Sequence, residues 1–218
     1  MSKDSNYIKI ETPFKRDMDG SKKLINGDFR SEALEYLSLM NFDWTEKVDG
    51  MCMCVRWTGH EFEIEGHTKN SQIPNDLREY ILEHFTSNEA EELIEQNFSD
   101  TIVEFYGEGY GAGIQKGGGY SDEKKFIMFD IYLPETDLWL TRKSVDDIAN
   151  ALNIESVPVL LVGNLYNAIH YVKDHDKTTI GKKEAPLEGL VGRPPVELKD
   201  RFGKRIIVKV KKKDFGFA

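Results

Sequence analysis

The chain is poor in cysteine, with two in 218 residues, Cys52 and Cys54. They stand two apart on a run that reads as a strand. Extended backbone keeps such side chains on one face but apart, so a disulfide between them is unfavourable and reduced thiols of a cytosolic protein are the simpler reading. The five histidines, His60, His67, His84, His170 and His175, show no ligand-like spacing with the cysteines, which excludes a zinc site of the usual kind. No apolar stretch is long enough to span a bilayer, and the N-terminus lacks the apolar core of a signal peptide. Positive charge is in deficit: 29 Lys and Arg stand against 38 Asp and Glu, for a net charge of -9. That argues against nucleic-acid binding by bulk electrostatics. A local basic groove is still open to the chain, because Lys204, Arg205, Lys209, Lys211, Lys212 and Lys213 cluster near its end. No Gly-Lys-Ser/Thr closes a phosphate loop, and neither Gly-x-Ser-x-Gly nor a Ser-His-Asp set appears.

What is present supports a real core. Hydrophobic residues make up 39% and charged residues 31%, so wholesale disorder is excluded. There is no repeat, low-complexity linker or clear boundary, so residues 1–218 read as a single domain. The alternation Tyr7-Ile8-Lys9-Ile10 predicts a short strand, followed by a turn at 18–21. Ser31 caps a helix over 32–39. Strands over 51–57 and 61–65 form a hairpin through Thr58-Gly59-His60. Residues 74–97 read as helix, entered at Pro74, with Ser87 and Asn88 starting a second segment. Strands follow over 101–106 and 126–133, a helix capped by Ser144 over 144–152, a strand over 157–162 and a helix over 165–173. A polar loop covers 174–186, and strands at 188–192 and 205–211 end the chain. Strands outnumber helices and hairpins recur, which predicts an α+β domain of mostly antiparallel sheets flanked by helices.

Five stretches carry candidate chemistry. The first is Glu46-Lys47-Val48-Asp49-Gly50, just before the 51–57 strand. A lysine becomes a nucleophile when burial or nearby cations favour its neutral form. By itself the stretch also describes an exposed lysine in an Asp-Gly turn. The second is the glycine-rich run 107–120, which reads as a flexible surface loop or as a place where backbone approaches a ligand closely. Glu108 there is placed to hold a ribose hydroxyl or a metal-bound water. The third, Phe126 to Ile131, alternates so that Phe126, Met128 and Asp130 share one face and Ile127, Phe129 and Ile131 the other. These rings suit core packing or a wall on which a base stacks. The fourth sets Glu188 before an apolar strand, as an edge charge or a metal carboxylate. The fifth, Ile207-Val208-Lys209-Val210-Lys211, puts two lysines on one strand face, which fits an amphipathic edge strand or two ammonium groups converging on phosphate.

In their order along the chain, these stretches resemble the motif series of the covalent nucleotidyltransferases, the superfamily of polynucleotide ligases and mRNA capping enzymes. Thr68-Lys69-Asn70 resembles the short extra motif after the first hairpin, where the family usually has arginine. Gly113-Ile114-Gln115-Lys116 with Tyr120 resembles the ATP-dependent RNA ligases of the second bacteriophage class and their RNA-editing relatives. The likeness covers residues 40–213. Two positions depart from it. Asp49 stands where that class usually has histidine, and Cys52 where DNA ligases and capping enzymes usually have arginine. The chain stops just past the last motif, so a catalytic domain is expected with neither an OB-fold nor a C-terminal domain appended.

The resemblance implies an ATP-grasp-like nucleotidyltransferase fold and an ATP-dependent RNA ligase. Its alternatives are a DNA ligase, a capping-type guanylyltransferase, or a non-catalytic nucleic-acid-binding protein. Lys47 is expected to attack the α-phosphate of ATP and form lysyl-AMP. AMP then passes to an RNA 5′-phosphate, and a 3′-hydroxyl displaces it. Lys209 and Lys211 would neutralise phosphate charge and keep Lys47 deprotonated. Glu188 would organise Mg²⁺ or Mn²⁺, with Asp49 helping or orienting the Lys47 loop. Glu108 and Lys69 would hold the ribose and nearby phosphate or end groups, and Phe129 would stack on adenine. Glu46 and Gly50 complete the expected nucleotide-binding set. The same resemblance implies RNA ends as partners, with a separate protein supplying further substrate binding, a monomer without membrane contact, and a cytoplasmic place of action (host cytoplasm for a viral or phage protein engaged in RNA repair).

Overall fold

The computed structural model describes residues 7–68 and 71–216. In chain order it runs β1 (Phe14–Arg16), β2 (Leu24–Phe29), α1 (Glu32–Leu37), β3 (Phe42–Lys47), β4 (Met51–Trp57), β5 (Phe62–Gly66), α2 (Asn75–Phe85), α3 (Asn88–Phe98), β6 (Val103–Tyr110), β7 (Lys125–Leu133), β8 (Leu138–Trp139), α4 (Arg142–Ala151), β9 (Glu155–Ser156), β10 (Val159–Gly163), α5 (Leu165–Asp174), β11 (Gly189–Arg193), β12 (Val208–Lys211) and α6 (Lys212–Phe215). This is the expected α+β arrangement of mostly antiparallel sheets flanked by helices. The short β9 is an exception, pairing parallel to β7. The chain divides into two compact units, one of Met1–Ile8 with Asp49–Val157, the other of Lys9–Val48 with Pro158–Ala218.

In the first unit the strands are ordered β5-β4-β6-β7-β8, with β9 beside β7. Helices α2, α3 and α4 bury one face of that sheet. Leu77, Ile81 and Phe85 recur every four residues along α2 and pack with Ile94, Val145 and Ala149 on Val55, Phe105 and Phe126. Ser87 caps α3 by accepting from the Ala90 amide at 3.2 Å. Helix α4 begins earlier than the serine signal implies. Thr141 is its cap, and the Ser144 amide donates to the Thr141 hydroxyl at 3.2 Å.

Three expectations change here. Residues 7–10 form no strand. Tyr7 instead turns inward and donates its hydroxyl to Asp130 Oδ2 at 2.7 Å, a tertiary bond that overrides local alternation. The strand predicted over 101–106 continues to Tyr110, taking in the start of the glycine run. Its glycines are there because the helix side has no room. A Cβ on Gly107 would lie 2.2 Å from the Phe126 ring, and one on Gly109 2.6 Å from Leu77. The alternation over Phe126 to Ile131 also breaks. Tyr106 pairs with Asp130 but Gly107 pairs with Met128, so Phe129 is the extra residue of a β-bulge. After the bulge Ile131 joins Phe126 and Met128 in the helix-side core.

In the second unit the sheet order is β10-β3-β11-β12. Leu165, Ala168 and Val172 of α5 pack on Trp44, Leu190, Val208 and Val210, and Phe14 of the β1–β2 ribbon joins them. Sequence reading leaves β3 unassigned because its third inward position is an acid, Glu46, after Phe42 and Trp44. The last strand begins only at Val208. Ile206 is engaged elsewhere, its amide donating to the Leu198 carbonyl at 2.8 Å.

Gly107→Ala is expected to cost about 1–3 kcal/mol, the usual penalty for overfilling a packed core. Urea unfolding checks it, and an unchanged midpoint would show that β6 does not press on Phe126 as described.

Candidate active site

Lys47 is the last residue of β3. In the antiparallel ladder it lies opposite Gly189 of β11, and Gly189 lies opposite Lys211 of β12. Lys47 and Lys211 therefore occupy one row across three strands, two strand spacings apart (about 9–10 Å). The position between them has no side chain. A Cβ on Gly189 would meet the Val210 carbonyl at 2.1 Å, and the residue has φ +159°. Into that gap Glu188 places its carboxylate. Oε2 accepts from Lys47 Nζ at 2.6 Å, and Oε1 meets Lys211 Nζ at 2.5 Å. Lys209 stands two residues before Lys211 on the same strand face, opposite Val191. Among the described residues its ammonium has no hydrogen bond or ion pair.

The electrostatics follow from this placement. Burial works to raise the Glu188 pKa, but the Lys47 charge, hydrogen bonds from Lys211 and Lys47, and the Lys211 charge outweigh it and hold it below the usual glutamate range. Lys211 is also held back by burial, yet its bond to Glu188 and that carboxylate's charge raise its pKa. Lys209 goes the other way. Burial, then the charges of Lys47 and Lys211, lower its pKa, with Glu188 and Asp214 opposing only in part. Three amines around one carboxylate leave a surplus of positive charge, suited to phosphate oxygens.

Glu46 faces away from this row. It is 2% exposed. Its Oε2 accepts from the Thr179 amide at 2.9 Å and the Thr179 hydroxyl at 2.7 Å, while Oε1 accepts from the Thr178 hydroxyl. Its carboxylate thus ties the 178–179 backbone to the strand that ends in Lys47. No pattern in the polar loop 174–186 marks Thr178 and Thr179 for this task, and sequence reading passes over them.

The first unit carries the other candidate residues. The Asp49 amide donates to the Tyr120 hydroxyl at 3.2 Å, and the Tyr120 ring meets Tyr110 edge-on at 5.8 Å. Gly50 is required where it stands. A Cβ there would lie 2.3 Å from the Gly109 carbonyl and 2.8 Å from Cγ of Glu108. The Asp49-Gly50 turn therefore runs against the stem of Glu108, whose cross-strand neighbour is Cys52. Phe129, on its bulge, is half-buried and meets the Tyr7 ring edge-on with centroids 5.0 Å apart. Because Tyr7 touches both Phe129 and Asp130, the expected opposition of those two side chains does not hold. Lys69 lies outside the described residues.

For a divalent cation the protein alone offers little. Among the described residues no group of three or more His, Cys, Asp or Glu is placed to hold a metal. Both oxygens of Glu188 are engaged by lysines. The donor set fits Mg²⁺ or Mn²⁺ only in the mode where one carboxylate joins phosphate oxygens and water.

The chain matches the RNA ligase family over residues 41–211, most of its length, and belongs to that family. No curated protein matches it. Among solved structures it is similar to an RNA ligase of Naegleria gruberi determined with PPi, at 19% identity and TM-score 0.62, covering 94% of this chain and 61% of that one. A point mutant of the same ligase with ATP and Mn matches at 18% identity and TM-score 0.61, over 93% and 60% of the two chains. Another mutant, with AMP and Mn, matches at 18% and 0.60, over 93% and 60%. At these identities the likeness establishes the shared fold. The chain spans about half to three-fifths of the length of the solved ligases it matches.

Two consequences are measurable. Glu188→Gln should destabilise the fold at neutral pH by about 1–3 kcal/mol, since it removes the anion between two ammonium groups. The Glu188 contribution is present above the ordinary glutamate value and lost as pH falls through the lowered folded value. The difference between wild type and Glu188→Gln should therefore shrink in acid, and a pH-independent gap in urea midpoints contradicts the bridge. Lys209→Met should stabilise the protein at neutral pH, because burial and two cations oppose its charge in the fold. Wild type should close that gap as pH rises from the depressed folded pKa toward the ordinary lysine value. A less stable Lys209→Met at neutral pH contradicts the reading.

Proposed function

We propose that the chain is the adenylyltransferase domain, residues 1–218, of an ATP-dependent RNA ligase that joins a 5′-phosphate to a 3′-hydroxyl. The observation that carries this is the Glu188 carboxylate held between Lys47 and Lys211, with Lys209, unpaired among the described residues, beside them. A lysine waiting on a carboxylate among further cations is ready to exchange that partner for phosphate.

In the first step neutral Lys47 Nζ attacks the α-phosphorus of ATP. A P–N bond forms, the bond between the α-phosphorus and the bridging oxygen breaks, pyrophosphate leaves and the amine proton passes to solvent. Lys209 and Lys211 place positive charge where phosphate oxygens gain negative charge. In the second step an oxygen of an RNA 5′-phosphate attacks the lysyl-AMP phosphorus, and the P–N bond breaks to return Lys47. In the third a 3′-hydroxyl attacks the activated 5′-phosphate and AMP leaves. Glu108 holds the ribose in this scheme, and Asp49-Gly50, fixed by Tyr120 and Gly109, sets the turn that follows the nucleophile. Phe129 offers an aromatic face to adenine, and Lys69 is assigned with Glu108 to the ribose and nearby phosphate or end groups. Mg²⁺ or Mn²⁺ bound with the triphosphate would take Glu188 or Asp49 as a carboxylate ligand and neutralise phosphate charge. The Naegleria ligase determined with ATP and Mn supports that choice of cofactors.

Incubation with α-labelled ATP and Mg²⁺ should leave acid-stable label on the protein, and Lys47→Ala should abolish it. Label retained by Lys47→Ala refutes the nucleophile, and labelling by GTP in place of ATP redirects the reading to a capping-type enzyme. Lys209→Ala and Lys211→Ala should each lower the labelling rate by about 10²–10³, the scale of losing one preorganised donor. Near-normal rates in both would remove them from the reaction.

A further inference from the structure

The negative charge of this protein is unevenly divided. The unit of Asp49–Val157 with Met1–Ile8 has 9 Lys and Arg against 23 Asp and Glu, while the other has 20 against 15. Within that positive unit, the connection between β11 and β12 forms a hairpin over residues 196–206. The Ile206 amide donates to the Leu198 carbonyl at 2.8 Å, and the Asp200 amide to the Lys204 carbonyl at 2.8 Å. At the tip Gly203 has φ +78°. The two acids of the hairpin are consumed internally. Asp200 Oδ1 accepts from the amides of Phe202 and Lys204 at 2.8 and 2.9 Å. Glu197 is held by Arg205 through Nε and a terminal nitrogen at 2.5 and 2.8 Å. Lys199, Arg201 and Lys204 are exposed on its outer surface, where the Lys204 ammonium also meets Glu11 Oε1 at 3.3 Å.

Between these cations stands Phe202, 79% exposed, with the Arg201 guanidinium carbon 4.8 Å from its ring centre. A phenylalanine contributes nothing to the core from such a position. Its turn is fixed by the Asp200 bonds, so the ring is presented rather than left loose. An exposed ring flanked by three cations on a rigid turn matches what a single-stranded nucleic acid needs: a flat face for a base and positive charge for the phosphates on either side.

We propose that the 196–206 hairpin, at the end of the β11–β12 ladder away from the Lys47–Gly189–Lys211 row, is a contact for single-stranded RNA. Phe202 stacks on one base, and Lys199, Arg201 and Lys204 engage neighbouring phosphates. This rests on the RNA ligase reading and adds to it the surface that holds the polynucleotide. It also explains how a protein of net charge -9 attracts RNA. The attraction is local, on the unit whose charge is reversed.

The test measures binding of a 5′-phosphorylated single-stranded RNA by fluorescence anisotropy, with ATP labelling as a separate readout. Phe202→Ala should weaken RNA binding about tenfold, within the range for one lost base–ring stack. Phe202→Trp should restore it to within about twofold. Replacing Lys199, Arg201 and Lys204 together by Gln should reduce the slope of log affinity against log salt by about 2, at roughly 0.7 per single-strand phosphate contact. All variants should take label from ATP at the wild-type rate. Wild-type RNA affinity in Phe202→Ala with labelling intact overturns this inference and leaves the ligase reading standing. Parallel loss of label and RNA binding also overturns it, because the hairpin then acts through the fold. A wild-type protein that takes no label refutes the ligase reading itself.

Discussion

Two ammonium groups two strands apart on one sheet face repel each other unless an anion lies between them. Glu188 is that anion, and most of the candidate site is arranged to let it reach. Gly189 leaves the central strand bare at the required row, and β3 and β12 bring Lys47 and Lys211 to either side. In the proposed reaction, phosphate oxygens would take over the lysines from this carboxylate. Lys209 sits outside the bridge with its charge opposed by burial and by its neighbours. A phosphate dianion would relieve that opposition most.

The turn that follows Lys47 is fixed by different means. Gly50 passes so close to the Gly109 carbonyl and the Glu108 stem that no side chain fits, and Tyr120 takes the Asp49 amide. Glu46 grips Thr178 and Thr179 from the opposite side of β3. Lys47 is thus preceded in the chain by a residue with an anchored side chain and followed closely by one with an anchored amide. Such anchoring is what a displacement at phosphorus asks of the attacking group.

Much of this was legible in the sequence because short-range rules govern it. The Ser31 and Ser87 caps and the α2 stripe of Leu77, Ile81 and Phe85 follow local chemistry, as does the pairing of Lys209 with Lys211 on one face. What was hidden depends on contacts distant in the chain. Strand β3 has no clear local signal because Glu46 breaks its apolar side, and the threonines that satisfy Glu46 lie more than a hundred residues on. Alternation failed at Phe129 because a bulge is visible only once β6 is alongside. Tyr7 reads locally as the start of a strand because its partner, Asp130, lies far along the chain. The glycines at 107 and 109 suggested looseness, whereas their role is to let a strand lie under Phe126 and Leu77.

The proposed bond between Lys47 and AMP is located most directly by peptide mapping with mass spectrometry after exposure to ATP and Mg²⁺. The mass of one AMP on the peptide containing Lys47, and on no other lysine, is the predicted result. AMP carried by Lys209 or Lys211 instead, or by no residue at all, contradicts it.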